Sequence, residues 1–267
     1  MSKKKNFYLQ GIHIFLLGLL TSFSLPPYNY WILNFFTLSL LIIFLYKQRD
    51  KSFKIFFIYG FIFGFSYFVS SLYWIPFSLS YDENFKYLIP FAIVIIPSFL
   101  SLFYSFAFVI FRFFLKRELI FSNILIFSLI FSFFEYLRGN IFSGFPWNLF
   151  AYSFSENLNF IQINSLVGIY AFNMICITIF CAPSILYLNR NKKNLIGFFL
   201  ILITSFSIYT YGIIKIKKFN DLESNYQFDN SMRQFNSIPG SSVPNNQENF
   251  LKYCYGSLPS DKGINVF

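Results

Sequence analysis

Few residues in this chain of 267 could do chemistry. Glu135 and Arg138 stand three apart, a spacing that puts both side chains on one face of a helix. A carboxylate beside a guanidinium there fits an interfacial ion pair that closes a helix with Gly139 as its cap, or a role in holding lipid headgroups or a neighbouring domain. Gly144-Phe145-Pro146-Trp147 follows. Pro146 pushes Phe145 out of the helical region, Gly144 frees the turn before it, and the amphipathic ring of Trp147 suits the headgroup level of a bilayer. That is an interfacial or re-entrant turn. His13 is the only histidine, which excludes a histidine-based triad or a two-histidine metal site. Cys176 and Cys181, five apart on one helix, point in different directions and read as small buried apolar residues. Cys254 stands alone in the C-terminal tail, so no disulfide within that tail is available. No cofactor or metal is expected.

The elements that carry these residues follow from composition. The chain is 56% hydrophobic and only 12% charged, with a mean hydropathy of +0.55, whereas a soluble domain carries about 25% charged residues. The sequence therefore predicts an all-α polytopic membrane protein. Spans of about 20 apolar residues cross the hydrocarbon, and seven are read at 7–25, 30–46, 53–75, about 86–115, 119–139, 165–188 and 195–214. Lipid cannot satisfy backbone polar groups, which makes helices the default. Two prolines in Ser24-Leu25-Pro26-Pro27 end the first span, and Tyr28, Tyr30 and Trp31 supply an aromatic belt beside a tight helical hairpin. Pro97 and Pro183 are expected to kink or weaken the fourth and sixth spans.

Basic residues set the orientation. Lys3, Lys4, Lys5, Lys47, Arg49, Lys51, Lys54, Lys116, Arg117, Arg190, Lys192 and Lys193 share one side, against Lys86 and the helix-end Arg138 on the other. The N-terminus is expected to be cytoplasmic and the tail after Ile213 outside, although Lys215, Lys217 and Lys218 run against the rule. The first apolar run is read as a retained span and not a cleaved signal peptide. The net charge of +10 is mostly this topology signal, so nucleic acid is not expected as a partner. Two domains result: a transmembrane domain at 1–214 and a short, poorly structured tail at 215–267. The tail from Asn220 to Asn249 has a loop-forming composition, with short strands conceivable at Tyr226–Phe228 and Gly263–Phe267.

The landmarks SLPPYNYWIL, GFIFGFSYFVSSLYWIPFSL, FFEYLRGNIFSGFPWNLFAYS and IQINSLVGIYAFNMI, in that order, resemble the membrane part of the apolipoprotein N-acyltransferases over about residues 11–214. Most specific is Glu135-x-x-Arg138-Gly139 followed by Gly144-Phe145-Pro146-Trp147. The resemblance implies a bacterial inner-membrane enzyme that moves an acyl chain from a phospholipid to the N-terminal cysteine of a diacylated lipoprotein. It implies a multi-pass membrane platform and a periplasmic nitrilase-like domain bearing a Glu-Lys-Cys triad. Phe145 to Trp147 would then lie at the outer leaflet where acyl chains enter, with Glu135, Arg138 and Gly144 behind them. Residues 215–267 resemble the start of the nitrilase-like domain, and the Trp-Pro-Glu motif and the lysine have no matching position. Cys254-Tyr255-Gly256 precedes the place where they would stand, so the nucleophile is not carried over. The expectation is a truncated family member, inactive by itself. The rival readings are a noncatalytic, lipid-binding scaffold that partners a separate hydrolase-like domain, and a small transporter.

Overall fold

A computed structural model of the chain describes residues 2–81, 83–115, 120–141 and 144–236. The chain falls into two units, Met1–Gly212 and Ile213–Phe267. All regular structure among the described residues is helical: α1 (Ser2–Ser22), α2 (Leu33–Lys47), α3 (Phe53–Ser71), α4 (Ile75–Ser80), α5 (Ile89–Phe114), α6 (Ile120–Asn140), α7 (Leu158–Ile161), α8 (Asn164–Cys181), α9 (Pro183–Leu188) and α10 (Lys192–Asn236). Two 3-10 turns, Glu83–Leu88 and Phe150–Phe154, complete the set. Among the described residues, five stretches are long and apolar enough to cross a membrane: 53–71, 86–114, 120–140, 164–188 and 192–220. Of the two other expected spans, α2 is apolar but only 15 residues long, and α1 begins with a polar turn that includes Lys3, Lys4 and Lys5.

Six helices close a ring, each packed on the next in the order α1, α3, α5, α6, α8, α2 and back to α1. Aromatic side chains fill it, with Phe63, Tyr67, Tyr104, Phe108 and Phe131 buried. The ring closes because small residues let backbones approach. A Cβ on Gly60 of α3 would stand 2.6 Å from the Tyr104 carbonyl oxygen of α5, and one on Gly64 would stand 3.0 Å from the Ser101 Cα. Hydroxyls inside the spans satisfy themselves on carbonyls one turn back: Thr21 on Leu17, Ser105 on Ser101 and Ser128 on Ile124. Outside the ring, α10 approaches α6 where Gly197 meets the Phe121 ring.

Several expectations change. Pro97 lies within α5, but Pro183 stands in the first turn of α9, where its missing N–H is no loss, so it starts a helix. The break inside the sixth span is Gly168, at φ 77° and ψ 167°. In the second unit the described tail is helical through Asn236, so Tyr226–Phe228 is no strand. Residues 237–267, with Cys254 and Gly263–Phe267, lie outside the described residues.

Candidate functional site

Three connections, those that follow α1, α3 and α6, gather at one end of the ring. Trp31 packs on Phe154 with ring centroids 5.6 Å apart, and Trp74 meets Trp147 at 5.4 Å. All three tryptophans of the chain therefore stand at that end. At the opposite end Lys47 Nζ donates to the Tyr187 hydroxyl at 3.2 Å, and Arg112 Nε donates to the Lys51 carbonyl at 3.2 Å.

Glu135 and Arg138 are brought together but not at the surface. Their side chains are 0% exposed, with Arg138 Nη2 3.9 Å from Glu135 Oε1. Of the two readings, the interfacial pair that closes the helix with Gly139 as its cap is thus corrected on two counts. The helix runs on to Asn140, and the chain after it folds back over the charges. Gly139 serves close packing instead, since a Cβ there would lie 2.0 Å from the Tyr170 hydroxyl oxygen.

Burial of both charges is tolerable because neighbouring helices bring partners. Tyr104 of α5 donates its hydroxyl to Glu135 Oε1 at 2.9 Å, and Asn173 of α8 donates from Nδ2 to Glu135 Oε2. The same amide nitrogen lies 3.2 Å from the Ser132 hydroxyl. On the other side, Arg138 Nη1 donates to the carbonyls of Phe145 at 3.0 Å and Trp147 at 2.8 Å. The guanidinium also lies over the Phe68 ring, 5.2 Å from its centroid.

The turn itself is built as its residue types require. Gly144 adopts φ 74°, and a Cβ there would stand 2.5 Å from the Gly139 carbonyl oxygen, so glycine is needed on both counts. The Phe145 N–H returns to the Arg138 carbonyl at 2.9 Å. Asn148, at φ 61°, turns the chain inward. Phe150 then enters the ring and stacks on Tyr67 at 5.5 Å. Two further ties hold this segment: the Tyr67 hydroxyl donates to the Asn148 carbonyl at 2.9 Å, and the Ala151 N–H donates to Asn173 Oδ1 at 3.0 Å. Three helices, α3, α6 and α8, thus grip residues 145–151. Trp147 remains 50% exposed, and Pro146 is exposed beside it.

Sequence reasoning missed Tyr67, Tyr104, Ser132 and Asn173. A signal existed for the last, because an asparagine within an apolar span faces protein and not lipid. His13 stacks on Phe44 at 5.7 Å. Cys176 and Cys181 are buried in the core, as read from sequence. Among the described residues no cluster of His, Cys, Asp or Glu could hold a metal ion.

The fold and this end of it define a multi-pass helical membrane protein whose ring is sealed by an aromatic turn fastened through a buried ion pair. Residues 17–182 match the Apolipoprotein N-acyltransferase N-terminal domain. The chain belongs to the apolipoprotein N-acyltransferase family. Proteins named apolipoprotein N-acyltransferase are similar to it: that of Rhodopseudomonas palustris is 31% identical over 64% of this chain and 32% of its own length. That of Rickettsia bellii is 33% identical over 78% and 41%, and that of Brucella melitensis is 35% identical over 48% and 24%. The chain spans less than half the length of these relatives.

Proposed function

We propose that this chain is the membrane half of an apolipoprotein N-acyltransferase. It brings a phospholipid acyl donor and a diacylated lipoprotein together at the end of the ring that carries the three tryptophans. That end faces the periplasm, the N-terminus is cytoplasmic, and the host membrane is the bacterial inner membrane. The basic loops at the opposite end support this orientation. Within the site, Glu135 and Arg138 are positioning residues, Gly144 makes the turn, and Phe145, Pro146 and Trp147 form the shelf that lipid meets.

The observation that carries the reading is the grip on residues 145–151 from α3, α6 and α8. A turn exposing Trp147 at headgroup depth could simply float. Holding it at several successive backbone groups makes it a rigid surface, as positioning of two substrates requires. The test is a chimera in which residues 1–214 replace the aligned part of the Rickettsia bellii relative, expressed in cells depleted of their own N-acyltransferase. Mass spectrometry of a lipoprotein should show a third acyl chain. A chimera that reaches the membrane in normal amount yet adds no third chain refutes the assignment.

A further inference from the structure

The spans of the ring differ in length, and the difference is one-sided. Trp31 and Lys47 bound α2 and stand 16 residues apart, about 24 Å along a helix. Its neighbour α1 matches it, because Asn6 and Ser22 are also 16 residues apart, again about 24 Å. Opposite α2 in the ring stands α5, where Ile89 and Arg112 are 23 residues apart, about 35 Å. A hydrocarbon core is about 30 Å thick. A tilt of about 30° brings α5 to that thickness, whereas α1 and α2 fall about 6 Å short even when upright. The basic side chains at the end of α2 are held by protein groups and not extended to make up the shortfall. Lys47 Nζ donates to the Tyr187 hydroxyl at 3.2 Å, and Arg49 Nη1 donates to the Tyr46 carbonyl at 3.1 Å with its guanidinium over the Tyr46 ring.

We propose that the α1–α2 face thins the bilayer beside it, drawing the two hydrocarbon boundaries to about 24 Å apart, and so gathers glycerophospholipids with short acyl chains on that side of the ring. The surface suits lipid and not a second copy of the chain. Its exposed residues, Tyr8, Ile12, Leu16 and Leu20 on α1 and Phe36 and Leu40 on α2, are large, whereas packed membrane helices bring small residues to the contact. Residues of headgroup type, Trp31 and Lys47, are exposed at its two ends. His13 supplies an independent sign. It is exposed on α1, seven residues or about 10 Å from Asn6, and an imidazole facing lipid is better placed near a headgroup plane than at the middle of a full bilayer. The lipid concerned is the bilayer around the ring and not a substrate, so the inference stands apart from acyl transfer.

The experiment places a nitroxide on one introduced cysteine, Leu40→Cys on α2 or Phe99→Cys on α5, both at exposed positions. The full chain also carries Cys254→Ser, while Cys176 and Cys181 are buried. It is reconstituted in vesicles of phosphatidylcholine and phosphatidylglycerol with oleoyl chains, and depth is read from the ratio of collision rates with oxygen and with a water-soluble nickel chelate. Leu40 stands seven residues from Lys47, so its label should lie about 10 Å beneath the headgroups. Phe99, midway between Lys86 and Arg112, should lie about 15 Å deep, half of an ordinary hydrocarbon core. In vesicles of the longer erucoyl lipids the Phe99 label should move deeper while the Leu40 label stays. Equal depths at the two positions, or a Leu40 depth that grows with chain length in step with Phe99, overturn the proposal. A Leu40 label shielded from both oxygen and nickel shows a face covered by protein and overturns it too. No acyl transfer enters the readout, so its failure and that of the chimera are separate results.

Discussion

Replacing Glu135 by alanine removes the acceptor of the Tyr104 hydroxyl and of one Asn173 Nδ2 hydrogen, and it leaves the buried Arg138 guanidinium without its counter-charge. Removing one partner of a buried ion pair destabilises by about 3–5 kcal/mol. Glu135→Gln is more instructive. Its carbonyl oxygen can still accept from Tyr104, but its amide would face Asn173 Nδ2, donor against donor. Asn173 cannot turn its amide over without losing the Ala151 N–H that its Oδ1 accepts at 3.0 Å. The variant should therefore cost about 2 kcal/mol, from the lost charge and one unsatisfied buried donor. Unfolding by SDS titration, followed by intrinsic fluorescence, suits the question because all three tryptophans stand at this end of the ring. The order wild type, Gln, Ala is required. If Glu135→Ala unfolds within about 0.5 kcal/mol of wild type, below any of these effects, the carboxylate does not hold the network together.

Gly144→Ala should destabilise the turn by at least about 1 kcal/mol, since the residue sits at φ 74° and the new Cβ would press on the Gly139 carbonyl; proteolysis after the turn should rise, and an unchanged cleavage rate would count against the geometry. Gly60→Leu should force α3 from α5 and lower the SDS midpoint more than Phe206→Leu does, because only the former meets backbone, at 2.6 Å. Cysteines introduced for Tyr28 or Glu83 should react with an impermeant maleimide in intact spheroplasts, whereas cysteines for Lys51 or Arg190 should react only after permeabilisation. The opposite pattern inverts the proposed orientation.

How much of this could be read in the sequence depended on whether the signal was local. Apolar runs mark spans wherever they occur, and the residue types of Gly144 and Pro146 prescribe a turn whatever surrounds it. The depth of Glu135 and Arg138 was not local. Their place in the last turn of a span suggests access to water, and they are buried because residues 144–151 return over them and α5 and α8 bring Tyr104 and Asn173. The tail misled for a related reason: an asparagine- and serine-rich composition opposes a helix only weakly, so the continuation of α10 to Asn236 contradicts a propensity and no rule of sterics.

The network also explains why ionisable residues suit this position better than apolar ones. Apolar side chains at 135 and 138 could pack the ring, yet they would leave the Phe145 and Trp147 carbonyls without a donor and the Asn173 and Tyr104 groups without an acceptor. Asn173 makes the coupling explicit. Its Nδ2 holds Glu135 while its Oδ1 holds the Ala151 backbone, so α6, α8 and the re-entering segment share one side chain. A double replacement, Glu135→Leu with Arg138→Met, should accordingly recover part of the stability lost in Glu135→Ala, because no charge is left unpaired. It should not recover the hold on the turn. Trp147 fluorescence should then show greater solvent quenching in the double variant than in wild type at equal global stability, and equal quenching would mean that the turn is held by its own packing.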